Sequence, residues 1–174
     1  MYKKAVTISG GFDSGCLPFI LEEEIKQCDL VFFEYQQLYL QQEKEKASQF
    51  ALFLHQPLLI LSCPRIQHDQ ERRNFLFLAE LKQRGYQEVV MGNRNFFPFF
   101  DEYRDSNWWS LQKMASLLNL QLELPITGWS KKRVIHFLFA HGYSDFYNCY
   151  LGNSDYQKCE CKNCVELRRV LKND

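Results

Sequence analysis

The chain has 174 residues, and its 21 lysines and arginines are balanced by 21 aspartates and glutamates. That length suits one domain of ordinary size with a real hydrophobic core, and a second catalytic domain is not expected. No global field attracts a polyanion, which disfavours long nucleic acid, and the absence of a signal-peptide core or a membrane-length apolar run points to a soluble, cytoplasmic chain handling a small substrate.

In chain order, short apolar runs predict strands at 4–8, 30–34, 58–62, 88–91 and 121–124. Helices are expected in the intervals, at 16–24, 40–55, 74–84, 108–118 and 131–141. Gly85 and Gly142 serve as C-terminal stops, and Pro18 bends or delays the first helix. The charged run Gln41-Gln42-Glu43-Lys44-Glu45-Lys46 reads as the solvated start of the second helix. Alternating strands and helices predict an α/β domain over residues 1–142. Its sheet is five-stranded, doubly wound and mainly parallel, and it takes ligands at the carboxyl ends of the strands. Residues 143–174 form a tail packed on the same domain.

Between the first strand and the first helix lies Ser9-Gly10-Gly11-Phe12-Asp13-Ser14. A glycine-rich turn at a helix N-terminus directs backbone amides outward and cradles an anion. Gly10 and Gly11 can adopt positive φ and carry no Cβ to obstruct a phosphate. Ser9 and Ser14 supply hydroxyl donors, and Asp13 can cap the helix or orient a magnesium ion. The loop lacks the Gly-Lys-Ser/Thr ending of a Walker A sequence and does not follow the dinucleotide GxGxxG pattern. A structural glycine turn is the plain alternative.

Seven cysteines occur, and Cys149, Cys159, Cys161 and Cys164 crowd the end of the chain, where little apolar material remains. Four thiolates around Zn²⁺ make a closed tetrahedral site that can order such a tail. Two disulfides are the alternative, disfavoured in a chain without a secretory signal. Cys16, Cys28 and Cys63 read as ordinary buried thiols, and His55, His68, His136 and His141 lack ligand spacing. The stretch from Asn93 to Asp105 carries Phe96, Phe97, Phe99 and Phe100 beside Asp101 and Asp105. As a long loop it offers flat faces and acceptors for a purine-like ring, although core or interface packing explains some of these aromatics equally well. Arg73 and Lys131 are candidate cations for phosphates or a substrate carboxylate, with a surface ion pair as the alternative for each.

The loop resembles the SGGxDS signature of the PP-loop ATP pyrophosphatases, whose members adenylate an oxygen and release pyrophosphate. With the cysteine-rich tail, nearly the whole chain is similar to the 7-cyano-7-deazaguanine synthases. Phe33-Glu34-Tyr35-Gln36-Gln37 stands where that family has Phe-Asp-Tyr-Gly-Gln, and Arg72 to Leu78 resembles its Gly-Arg-Asn-x-x-Phe-Leu helix start. Met91-Gly92 followed by Tyr103-Arg104-Asp105 resembles its strand-end glycine and Tyr-Pro-Asp loop. Pro125 to Lys131 matches its Pro-to-Lys element, and Cys149-Tyr150-Leu151-Gly152 its Cys-Tyr-Asn-Gly.

The resemblance implies a Rossmann-like PP-loop fold with a zinc-binding tail. ATP would be held by Ser9, Gly10, Gly11, Phe12, Asp13 and Ser14, with Mg²⁺ near Asp13 and with Asp13, Ser14, Arg73 and Lys131 in catalytic roles. The deazapurine would contact Glu34, Tyr35, Gln37, Asn74, Gly92, Phe97, Asp101, Tyr103 and Asp105, and Zn²⁺ would sit on Cys149, Cys159, Cys161 and Cys164. The implied reaction converts 7-carboxy-7-deazaguanine and ammonia to a nitrile through adenylation and an amide. The chain departs from the family at Gln36, at Arg104 and in the short connection between Cys63 and Asn74. That connection lacks a segment that in the family covers the active site and joins subunits. A homodimer or a partner protein is therefore expected to close the crevice, and transfer of the acyl group to another amine, such as one on a protein, is the alternative reaction. A PP-loop RNA thiolase would want a basic face and a catalytic cysteine pair. A catalytically silent nucleotide-binding partner subunit is the reading from outside enzymology.

Overall fold

The computed structural model describes residues 3–35, 39–62, 70–93, 101–146 and 157–172, without the side chains of 70, 71, 101–108, 162 and 163. Five parallel strands form one sheet in the order β3-β2-β1-β4-β5. They are β1 (Lys4–Thr7), β2 (Cys28–Glu34), β3 (Leu58–Ser62), β4 (Glu88–Val90) and β5 (Gln121–Glu123). The helices are α1 (Phe12–Leu21), α2 (Leu40–Phe53), α3 (Gln70–Gln83), α4 (Asp101–Leu117), α5 (Lys131–Ala140) and α6 (Lys162–Lys172). The doubly wound α/β expectation holds, as do the five strands.

Alternation along each strand divides the core between the two faces of the sheet. Ala5, Val31, Leu61 and Val89 meet Phe77, Leu78 and Leu81 of α3 and Leu111 and Ala115 of α4. Val6, Leu30, Phe32 and Val90 face the other way, onto Leu17 of α1 and Ala47, Phe50 and Ala51 of α2. Each of the larger side chains buried here stabilises the fold by about 1.5–3 kcal/mol relative to exposure. A third cluster joins Phe12 and Cys16 of α1, Val134, Ile135 and Leu138 of α5, and Leu167 and Val170 of α6.

Several elements differ from the sequence reading, and helix α3 begins at Gln70, four residues before the expected start at Asn74. Helix α1 begins at Phe12, within the glycine loop, and Pro18 lies inside it. Proline has no N–H to donate. The helix gives way to a 3₁₀ segment, Glu22–Gln27, with Glu22 at φ 49°. Helix α4 starts at Asp101, so Asp101, Tyr103 and Asp105 belong to its first turns and not to a loop. Helix α6 was not expected at all. Its Cys164, Leu167, Val170 and Leu171 recur at helical spacing in the sequence, and Leu167, Val170 and Leu171 pack into the cluster shared with α1 and α5. No described helix is long and apolar enough to cross a membrane.

Candidate active site

Strand order reverses at β1, whose neighbours β2 and β4 lead to crossovers on opposite faces, so a crevice opens beyond the carboxyl ends of β1 and β4. The segment Ser9–Ser14 lies there. Its conformation is set by close approaches that a larger side chain would prevent. Gly10 has φ +78°, and a Cβ on it would run into the Glu43 carbonyl and lie 3.1 Å from the Ala47 nitrogen of α2. From the other side, a Cβ on Gly92, just past β4, would lie 2.7 Å from Ser14 Cα and N and 2.8 Å from Asp13 C. The loop is therefore pressed between α2 and the end of β4.

Ser14 ties the loop together. Its buried Oγ accepts from the Ser9 amide at 2.9 Å, lies 2.9 Å from Ser9 Oγ and donates to the Gly11 carbonyl at 3.2 Å. Gly11 is the N-cap residue of α1, and no side chain caps that helix. Asp13 thus does not serve as the cap and sits in the first turn. An uncapped helix N-terminus leaves N–H groups and the positive end of the helix dipole to meet an anion.

The cleft in front of the loop measures about 270 Å³ and is lined by Thr7, Ile8, Ser9 and Ser14 on the β1 side. Its far wall includes Phe33, Tyr35, Arg73, Asn74 and Phe77, and Glu43, Gly92 and Asn93 also line it. Phe33 and Phe77 meet as tilted rings with centroids 4.8 Å apart, while the Arg73 guanidinium lies 4.5 Å over the Tyr35 ring. Burial raises the Tyr35 phenol above its ordinary pKa, against the opposing pull of the Arg73 cation. The buried Nε of Arg73 has no hydrogen-bond partner among the described residues. This wall offers flat apolar faces beside a positive, planar donor.

The structure brings Ser9, Ser14, Tyr35, Arg73, Asn74 and Gly92 together in the cleft. Lys131 is not among its lining residues. That lysine is buried in the first turn of α5, with its ammonium 5.7 Å from the Phe12 ring. Glu34 accepts from Ser62 Oγ at 3.0 Å and from Lys44 Nζ at 3.4 Å, and it too is outside the lining. Phe12 turns its ring into the core shared with α5 and α6. Gln37, Phe97 and Cys149 lie outside the described residues, as do the side chains of Asp101, Tyr103 and Asp105. The sequence reading missed Glu43, assigned there to a solvated run. Its neighbours Lys44 and Lys46 pair with Glu34 and Asp145, and Glu43 itself faces the cleft. No local pattern marks it, because the first turn of α2 meets the loop only through tertiary packing.

A second cluster lies in the tail. The sulfurs of Cys159, Cys161 and Cys164 all fall within 4.8 Å of one another, and all three residues are buried. Val165 N donates to the Cys161 carbonyl at 3.0 Å and Arg168 donates to the Cys159 carbonyl at 2.6 Å, so the turn that gathers the thiols also starts α6. Three converging soft donors fit a tetrahedral zinc or a similar thiophilic ion. Cys16 and Cys28 are buried beside the Val134 and Glu24 carbonyls, consistent with ordinary core thiols.

These features define a Rossmann-like architecture, a five-stranded parallel α/β sheet with a glycine-rich loop at its switch point. The same fold occurs in a "predicted subunit of tRNA methyltransferase" from Methanocaldococcus jannaschii, with TM-score 0.52 and 18% identity over 99% of this chain and 89% of that one. It occurs also in a 4-thiouridine synthetase solved as an RNA complex with bound ATP, with TM-score 0.54 and 12% identity over 98% of this chain. This chain spans half the length of that synthetase. No family model matches the sequence, and no curated protein does.

Proposed function

We propose that the chain is an ATP-dependent adenylating enzyme that cleaves ATP between the α- and β-phosphates and activates the carboxylate of a 7-deazaguanine. The observation that carries this reading is the Ser9–Ser14 loop at the N-terminus of α1, whose Ser9 and Ser14 line the cleft at the switch point. The loop has no lysine of the Walker type to assist γ-phosphoryl transfer. The fold likeness to a structure holding ATP supports it further.

In this reading the loop amides and the Ser9 and Ser14 hydroxyls hold the phosphates and stabilise the charge gathering on departing pyrophosphate. Asp13 is the carboxylate at hand for Mg²⁺, which would neutralise that charge. The acceptor ring stacks against the Phe33 and Tyr35 wall, with Arg73 clamping its carboxylate. A carboxylate oxygen attacks the α-phosphorus, and the bond to pyrophosphate breaks. Ammonia then attacks the acyl carbon, AMP leaves and an amide forms. A second adenylation, on the amide oxygen, allows loss of AMP and a proton to give the nitrile. Zn²⁺ on Cys159, Cys161 and Cys164, with Cys149 as fourth ligand, would organise the tail and supply no chemistry to the reacting atoms. A second subunit or a partner protein would close the crevice.

The test is product analysis after incubation with ATP, Mg²⁺, ammonia and 7-carboxy-7-deazaguanine. AMP, pyrophosphate and the amide or nitrile are expected. ADP and orthophosphate as the only nucleotide products would sink the assignment. AMP formation that requires some other acceptor, such as a protein amine, would keep the adenylation and correct the acceptor.

A further inference from the structure

Behind the Ser9–Ser14 loop lies the ring of Phe146. Phe146, in the stretch that leads from α5 toward the thiol-bearing tail, has its centroid 5.2 Å from that of Phe12. It also meets Phe50 of α2 edge-on at 5.3 Å and Tyr143 at 4.6 Å. A Cβ on Gly15 would lie 2.6 Å from Phe146 Cζ and closer still to Cε1, so the ring occupies the space any side chain at position 15 would need. Glycine inside a helix costs about 1 kcal/mol relative to alanine. Position 15 is the turn of α1 that Phe146 covers.

The residue before it holds the other wall. Asp145 pairs with Lys46 of α2, whose Cβ lies 3.2 Å from the place a Cβ on Gly10 would take. Residues 143–146 therefore grip both supports of the loop, α1 through Phe12 and Gly15 and α2 through Phe50 and Lys46. Phe146 is not among the residues lining the cleft.

We infer that Phe146 is a positioning residue for the nucleotide. Its ring fixes Phe12, and with it the first turn of α1 whose amides face the phosphates. Seating of the segment after α5 then sets ATP affinity, while the reacting groups stay in front of the loop. This rests on the ATP reading above.

The test compares the full chain with Phe146→Ala, Phe146→Leu, Gly15→Ala and the double variant Gly15→Ala/Phe146→Ala. Mg-ATP affinity is measured by calorimetry, pyrophosphate release at varied ATP gives KM and kcat, and melting is followed in parallel. Phe146→Ala is expected to raise Kd and KM for ATP about tenfold with kcat changed less than about twofold, the pattern of lost binding common to ground and transition states. Gly15→Ala, whose methyl displaces the ring, should do the same. In the double variant the methyl fills vacated space, so melting temperature recovers over Phe146→Ala while KM stays high. If Phe146→Ala does not fold, Phe146→Leu and Gly15→Ala carry the comparison. Folded variants with lower melting temperatures but wild-type Kd and KM would reduce Phe146 to packing and overturn the inference alone. A wild-type chain that fails to bind ATP would overturn the ATP reading and this inference with it.

Discussion

At the amino end of β1 the Lys4 ammonium is buried among Glu24 at 2.8 Å, Glu123 at 3.4 Å and Glu88. Across the sheet, beyond its carboxyl end, Arg73 reaches the cleft with a buried Nε that has no hydrogen-bond partner among the described residues. Both cations sit in partly dehydrated places, where an uncompensated charge is costly. Burial disfavours the charged form of Lys4, but the bonds to Glu24 and Glu88 and the charges of Glu123 and Glu88 together outweigh it and raise its pKa. Glu123 is pushed above the usual carboxylate range, chiefly by its hydrogen bond with Glu88. One end of the sheet satisfies its charges internally and belongs to the fold. The other leaves the Arg73 Nε without a hydrogen-bond partner among the described residues, and the proposed ATP-dependent activity uses that difference.

The largest expected effect breaks the satisfied end. Lys4→Met leaves Glu88 buried without its cation and should cost about 3 kcal/mol, the lower part of the range for a broken buried pair because Glu24 and Glu123 retain contact with water. Adding Glu88→Leu should recover most of that loss. Arg73→Met, by contrast, should move the urea midpoint little and depress pyrophosphate release strongly. Equal midpoints for Lys4→Met and Arg73→Met would erase the distinction.

Next comes the junction between fold and site. Gly92→Ala forces a methyl against the Ser14 and Asp13 backbone, and overpacking of this kind costs about 1–3 kcal/mol. Because the displaced atoms are those of the loop, ATP turnover should fall by more than the stability loss explains. A Gly92→Ala enzyme with intact turnover would show that the loop tolerates movement.

Smaller still is the effect at Tyr143, whose buried hydroxyl has no hydrogen-bond partner among the described residues. The ring packs against Phe50, Phe53 and Phe146, so Tyr143→Phe keeps those contacts and removes the burden, raising stability by about 1 kcal/mol. A lower melting temperature in Tyr143→Phe would point to a partner for the hydroxyl.

The mildest test uses pH. Burial pushes the Cys28 thiol from 9.0 up to about 11 and the Tyr143 phenol from 10.0 up to about 12. The folded chain therefore binds these protons more tightly than the unfolded chain does. Their contribution is fully present below pH 9 and is lost as pH rises through about 11 for Cys28 and about 12 for Tyr143. Lys4, also raised, adds to the decline at the alkaline end. Urea midpoints measured from pH 8 to 11 should fall in wild type and fall less in Cys28→Ala. Identical pH profiles for the two would remove Cys28 from the account.

The strands, the parallel α/β class and the glycine turn into the first helix were legible in the sequence because each is encoded locally. Val6 and Ile8 alternate with the residues beside them, and Ser9 to Ser14 is contiguous, so composition and spacing over a few residues suffice. Tertiary structure alone decided the rest. Gly92 proved to be a close approach to Ser14, Glu43 a wall of the cleft, Lys131 a buried cation over Phe12, and Leu167 and Val170 partners of α1 and α5. Each depends on residues distant in the chain meeting at one point. Side-chain chemistry and period show what a residue prefers, while packing of separate elements determines which neighbour it finds there.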